Sequence, residues 1–277
     1  MSIDQIGYLF LFQIDLIAVN LLFGATLAGE YAIALQWRIL LEAIAGTLAS
    51  VLVPTILAYY AFKKTERLII ISQSSVKLMG LAMALPVGLI CGSAPQLLTL
   101  WVGAEYVNLA PLMMLLTAHF ALNMSVKPLF SVNVAYNRVK IPGLMTILFG
   151  TANLILAIAI PTATGWGYYG VALAGVIILT LRHILFVPWY AARVINVRIA
   201  TFLKSILPGA LAALFIGGAT AGIATLTPLS SPLTLGILGA IITLVYGIIV
   251  LEFGLTDFER QFFESYLPQG WKSTRNN

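Results

Sequence analysis

Apolar positions along this chain fall into runs of about twenty residues, broken by short groups of charged and turn-forming residues. A hydrocarbon core about 30 Å thick needs about 20 mostly apolar residues of helix to cross it, so each run predicts a spanning helix. About eight follow from the pattern: Gln5 to Phe23, Tyr31 to Phe62, Leu68 to Ile90, Leu109 to Phe130, Ile141 to Ile160, Trp166 to Tyr190, Phe202 to Ala224 and Leu233 to Leu251. Pro161 to Gly165 is expected to turn the chain between the fifth and the sixth. No soluble module is visible between the runs, so the predicted fold class is all-α, a polytopic integral membrane protein.

The breaks also predict orientation. Lys and Arg in short loops stay on the cytoplasmic side, and every second break is basic: Lys63, Lys64 and Arg67, then Arg138 and Lys140, then Arg193, Arg198 and Lys204, then Arg260, Lys272 and Arg275. The alternate loops carry only Glu30 and Glu105. Both termini are therefore expected in the cytoplasm, with the chain in the cytoplasmic (inner) membrane. The first run has no basic segment before it, carries Asp15 at its middle and lacks a small-residue cleavage site, so it reads as a retained helix.

Composition agrees, with 60% hydrophobic and 9% charged residues, too little charge to wet a soluble surface. The formal charge of +5 is bunched in the breaks, which points to membrane orientation and away from nucleic acid. Cys91 alone cannot form an intrachain disulfide, and with His119 and His183 it makes no soft-ligand set, so neither metal nor cofactor is expected.

Charges at membrane depth cost at least about 2.5 to 3.5 kcal/mol each and are candidates for function. Six lie there: Asp15, Arg38, Glu42, Lys77, Lys127 and Arg182. Asp15 can bind a proton or sodium ion, or pair with a cation on the next helix. Arg38 and Glu42 stand one turn apart and can neutralise each other, or Arg38 can face a hydrated space with Glu42 holding it. Lys77 shares a face with Gln73, Ser74, Gly80, Ala84, Gly88 and Cys91; it either snorkels to the surface or faces a cavity that accepts an anion. His119, Asn123 and Lys127 recur every four residues, a polar stripe on the fourth helix, with snorkelling the alternative for Lys127 and for Arg182 beside His183. The seventh and eighth helices carry no charge between Lys204 and Glu252 and read as lipid-facing peripheral spans. Four cations against two anions at depth favour an anionic substrate such as a lipid phosphate.

The run from Asp15 to Gly24, the stretch Ala28 to Ala34, Val53-Pro54, the segment LTLWVGAEY over Leu98 to Tyr106, Asn137-Arg138, and GWGYYGVALA over Gly165 to Ala174 together resemble the polysaccharide flippases. These belong to the superfamily of multidrug, oligosaccharidyl-lipid and polysaccharide exporters, whose full members have twelve or fourteen helices in two lobes. The resemblance covers residues 1 to about 200 and matches the second lobe. It implies that residues 1–200 form a six-helix lobe and that 201–277 add two peripheral helices and a cytoplasmic tail. It further implies translocation of a polyprenyl-diphosphate-linked oligosaccharide without covalent chemistry, hence no enzyme activity. By the same implication Arg38, Lys77, Lys127 and Arg182 attract diphosphate or acidic sugars, while Asp15 and Glu42 are ion-coupling candidates.

The family's first six helices have no counterpart in these 277 residues. Because its cavity lies between the lobes, transport is expected to need a partner lobe or a second copy, besides the lipid-linked oligosaccharide and membrane lipids. Three alternatives stay open: a multidrug exporter of the same superfamily, which would favour an acidic cavity; an intramembrane enzyme, which would show clustered acids or histidines; and a non-transporting remnant or assembly subunit.

Overall fold

A computed structural model of the protein describes residues 11, 13–226 and 231–260. Among them every regular element is helical. In chain order these are α1 (Ile14–Phe23), α2 (Ala25–Ala61), α3 (Thr65–Gly92), α4 (Ala94–Trp101), a 3-10 turn (Ala104–Leu109), α5 (Ala110–Ala118), α6 (Phe120–Asn123) and α7 (Leu129–Ala135). Then come α8 (Lys140–Thr164), α9 (Tyr168–Thr180), a π turn (Leu181–Phe186), α10 (Val187–Val194), α11 (Ala200–Leu226) and α12 (Pro232–Ile249), which runs into a second π turn (Val250–Gly254). The chain divides into two compact units, residues 1–232 and 233–277.

Six helical stretches among the described residues are long and apolar enough to cross a membrane: Ala25–Ala61, Thr65–Gly92, Lys140–Thr164, Tyr168–Val194, Ala200–Leu226 and Pro232–Gly254. Two of the expected spans differ. The first is described as a helix only over Ile14–Phe23, the rest of it lying outside the described residues. The fourth is a broken helix, α5 to α7, with successive turns over 124–128. Pro128 explains that break, since it has no N–H to donate and disfavours helical backbone at Lys127. The Lys127 and Leu129 amides bond three residues back instead, to the Met124 and Val126 carbonyls at 3.1 and 3.0 Å. Pro161, expected to end a helix, instead lies inside α8, which stops four residues later at Gly165 in the left-handed conformation, φ 71°. Trp271, Lys272 and Arg275 of the predicted basic tail lie outside the described residues.

In the first unit several strongly polar residues are buried while many large apolar ones are exposed. Asp15, Arg38, Asn123 and Asn153 are all at or below 2% exposure, whereas Leu144, Leu148 and Ile155 of α8 and Leu214 and Phe215 of α11 are well exposed. That inversion suits a hydrocarbon surround, where an outward leucine costs nothing and an outward aspartate a great deal. The centre is filled by Tyr31, Leu41, Met79, Met83, Leu112 and Phe120.

α11 lies along α3, and glycine sets the approach. A Cβ built at Gly209 would stand 2.4 Å from the Gly80 carbonyl carbon, and one at Gly92 would stand 2.5 Å from the Gly217 carbonyl oxygen. Without a hydrophobic drive between helices in lipid, such small residues bring backbones together and let dispersion hold them. α2, at 37 residues, is about 55 Å long and exceeds the hydrocarbon thickness by several turns. In the second unit α12 is followed by a reciprocal cap: Glu259 Oε2 accepts from the Thr256 amide at 2.8 Å, and Thr256 Oγ1 accepts from the Glu259 amide at 3.4 Å.

Candidate functional site

The deepest charged group is an ion pair between α1 and α2. Arg38 Nη1 donates to Asp15 Oδ2 at 2.9 Å, with the two side chains 2% and 0% exposed. Asn153 of α8 donates to the other carboxylate oxygen, Oδ1, at 3.0 Å. Gly175 of α9 leaves the room, since a Cβ there would stand 3.0 Å from Asp15 Oδ2. Tyr31 is also buried and lies within electrostatic range of both charges. Three helices thus converge on one carboxylate, and a fourth is shaped around it. Of the sequence readings for Asp15, pairing with a cation on the next helix is the arrangement present.

One turn further along α2, the same face opens on a cavity of about 420 Å³. Its wall includes Glu42, Gly46 and Ser50 of α2, Lys127 and Ser131 of the broken helix, and Arg182 and His183 of the π turn. Each cation is held there by local structure. Lys127 sits on the break at Pro128, its Nζ 3.6 Å from where a Gly46 Cβ would stand, and Glu42 is near enough to attract it. Arg182 is fixed more firmly. Its Nη2 donates to Thr146 Oγ1 of α8 at 3.0 Å, its Nη1 lies 3.3 Å from His183 Nε2, and the guanidinium stands 5.3 Å over the Phe130 ring. His183 Nδ1 donates to the Leu179 carbonyl at 2.8 Å, so Nε2 is left as the acceptor that Arg182 needs.

The π turn makes this neighbouring pair work. Its wider winding brings side chains at successive positions closer to one face than the 100° steps of an α-helix allow. Arg182 Nε remains buried with no hydrogen-bond partner among the described residues. Pro54, inside α2, has no N–H for the Ser50 carbonyl and so frees an acceptor beside Ser50, at the cavity wall. The cavity therefore presents two cations, one carboxylate, two hydroxyls and an aromatic ring. Such a set offers charge-assisted and neutral hydrogen-bond partners that an anion carrying hydroxyl groups could use.

Between the ion pair and the cavity, the Asn123 amide donates to His119 Nδ1 at 2.7 Å and to Thr180 Oγ1 at 3.4 Å. The predicted stripe of His119, Asn123 and Lys127 is thus divided. Its first two members bond each other and α9, and the third turns to the cavity after the helix breaks. The structure brings Glu42, Lys127 and Arg182 together and sets Asp15 and Arg38 one layer away. Lys77 is half-buried on the face of α3 whose Gly80 and Gly88 meet Gly209 and Ile216 of α11, and it does not line this cavity. The small residues around it serve a helix contact, so α11 is a packed helix on one side and apolar on the other.

Asn153, Thr146, Gly46, Gly175 and the π turn escape sequence reasoning. Gly46 alone carried a signal, being one turn beyond Glu42 on the Arg38 face. The others become partners only when helices far apart in sequence meet.

No family model matches the chain, and no solved structure matches it. It is 34% identical over 260 residues to a protein of Bacillus subtilis (strain 168) described as "Uncharacterized membrane protein EpsK". The alignment takes in 94% of this chain and 52% of that protein, so the chain spans about half the length of the curated relative it matches. The chain is a multi-span helical membrane protein homologous to EpsK of B. subtilis.

Proposed function

We propose that these residues form one lobe of a flippase that moves a polyprenyl-diphosphate-linked oligosaccharide across the cytoplasmic membrane. The observation that carries the reading is the intramembrane cavity in which Lys127 and Arg182 face Glu42, Ser50 and Ser131. A diphosphate satisfies the two cations, and the hydroxyls and carboxylate hydrogen-bond the sugar attached to it. The chemistry in this reading is binding and release without a covalent step. In this reading about eight helices cross the membrane, with the turns at Lys63-Lys64 and Arg138 in the cytoplasm and Gly165 outside, as the basic residues alternate.

The lobe works with another lobe, a separate six-helix bundle or a second copy. The cavity wall accounts for one side of a translocation path, and the length of the relative, twice the matched region, supports a two-lobe assembly. The test is flipping of lipid-linked oligosaccharide in liposomes by the purified chain, with its mass measured in nanodiscs. Expected is an inactive monomer that gains activity as a dimer or when a six-helix partner is added. A strictly monomeric species that flips the substrate overturns the two-lobe requirement, and a dimer or partnered complex that flips none overturns the flippase reading.

A further inference from the structure

A second pocket, of about 330 Å³, opens at the end of α2 beyond the cavity just described. Tyr59, Tyr60, Lys63, Lys64 and Thr65 line it from the α2–α3 turn and Tyr136 from the end of α7. The two pockets have no lining residue in common but lie along the same helix: α2 lines the inner one as far as Val53 and the outer one from Tyr59, about 10 Å further along the axis. Interfacial tyrosines and basic turns are ordinary in membrane proteins, and singly these residues need no other explanation. Their arrangement does. The Tyr60 and Tyr136 rings come from separate elements and meet as a tilted pair, 4.6 Å apart at 57°, with Tyr60 40% exposed and so open to a ligand.

Lys63 holds φ 55°, a conformation that suits glycine or asparagine and is uncommon for lysine. Among the described residues the other two non-glycine residues at positive φ are Asn137 and Asn196, which tolerate it. Lys63 and Lys64 of this turn line the pocket, Lys64 Nζ standing 6.0 Å from the Phe62 ring, and no carboxylate is among the described residues that line it. The inner cavity, in contrast, has Glu42 in its wall.

We propose that this outer pocket is a subsite for a phosphate-linked sugar, in which Lys63 and Lys64 hold the phosphate and Tyr60 and Tyr136 receive the apolar face of the sugar ring. Lysine supplies point charge for a phosphate without demanding one geometry, and tyrosine offers a flat apolar face with a hydroxyl at its edge, the two surfaces a glycosyl phosphate presents. The inference rests on the flippase reading for the source of the ligand. It makes the pocket the place where a head group waits before it reaches Lys127 and Arg182. A bulk anionic phospholipid shares the phosphate but not the sugar, so the two sources separate on the tyrosines.

The experiment measures binding of two probes to the purified chain in phosphatidylcholine nanodiscs: farnesyl diphosphate, and farnesyl diphosphate linked to N-acetylglucosamine. Y60L/Y136L keeps an apolar side chain but removes the rings, and because Tyr60 is exposed and Tyr136 half-buried it leaves the fold in place. It should weaken the sugar-bearing probe about three- to tenfold, the range an aromatic contact supports, and leave the sugar-free one unchanged. Y60F/Y136F should keep most of the affinity for the sugar, and K63Q/K64Q should weaken both probes. Equal binding of the sugar-bearing probe by Y60L/Y136L and the parent chain overturns the subsite. So does a K63Q/K64Q pair that changes only association with phosphatidylglycerol vesicles, which would make the turn a lipid anchor. The same titration on K127Q/R182Q judges the inner cavity independently: if it loses the diphosphate while the tyrosine pair loses nothing, the flippase reading stands without the outer subsite.

Discussion

Replacing Asp15 with alanine removes the carboxylate that meets Arg38 Nη1 at 2.9 Å and accepts from Asn153 at 3.0 Å, in surroundings where the acid is 0% and the arginine 2% exposed. The guanidinium stays behind in a desolvated site without its counter-charge, and breaking a buried pair in this way costs about 3–5 kcal/mol. Spread over a unit of this size, that lowers the melting temperature by roughly 6–20 °C. The assay is thermal denaturation of the purified chain in a zwitterionic detergent, followed by helical circular dichroism. D15N should fall between the parent and D15A, since its amide oxygen can still accept from Arg38 while its amide nitrogen faces the Asn153 donor. The double variant D15A/R38L removes the stranded charge along with its partner, and should melt above D15A alone. Two results would refute the reasoning: D15A melting within about 2 °C of the parent, or a double variant whose loss equals the sum of the two single losses.

G175A should destabilise the same centre by about 1–3 kcal/mol, because its methyl would press on Asp15 Oδ2 from 3.0 Å; the loss should largely vanish in a D15A background, as a paired melting series would show. G209A places a Cβ 2.4 Å from the Gly80 backbone and should loosen α11 from α3, detected as faster proteolysis and weaker cysteine cross-linking between those helices, with G218A, whose Cβ meets nothing within 4 Å, as the neutral control. A cysteine at Gly165 should react with an impermeant maleimide added outside intact cells, whereas one at Lys64 should not; labelling at Lys64 would reverse the proposed orientation.

Much of the helical layout can be read from the sequence because its causes are local. Apolar runs mark the helices, and Lys63-Lys64, Asn137-Arg138 and Gly165 mark where they stop, the last by its left-handed conformation. Proline was less informative. Pro54, Pro86 and Pro161 all lie inside helices, where packing against neighbouring elements outweighs one lost backbone hydrogen bond, while Pro128 accompanies a real break. The charged residues at depth were legible as candidates by insertion cost alone, and for Asp15 so was pairing with a cation on the next helix, though not which cation. Arg38 stands four residues from Glu42 and twenty-three from Asp15, and helical spacing suggests the first partner, whereas α1 brings up the second. Lys77 illustrates the opposite difficulty: a face of glycine and alanine suits both a cavity and a close helix contact, and only the position of α11 distinguishes them.

The central claim, that Lys127 and Arg182 make an anion site within the bundle, is tested most directly by titrating farnesyl diphosphate into the purified chain in phosphatidylcholine nanodiscs. A charge-assisted hydrogen bond contributes about 1.5–3 kcal/mol, so K127Q and R182Q should each weaken binding by about tenfold or more. K77Q, against α11 and away from the cavity, should bind as the parent does. Unchanged affinity in both K127Q and R182Q, or a loss in K77Q as large as theirs, would contradict the account.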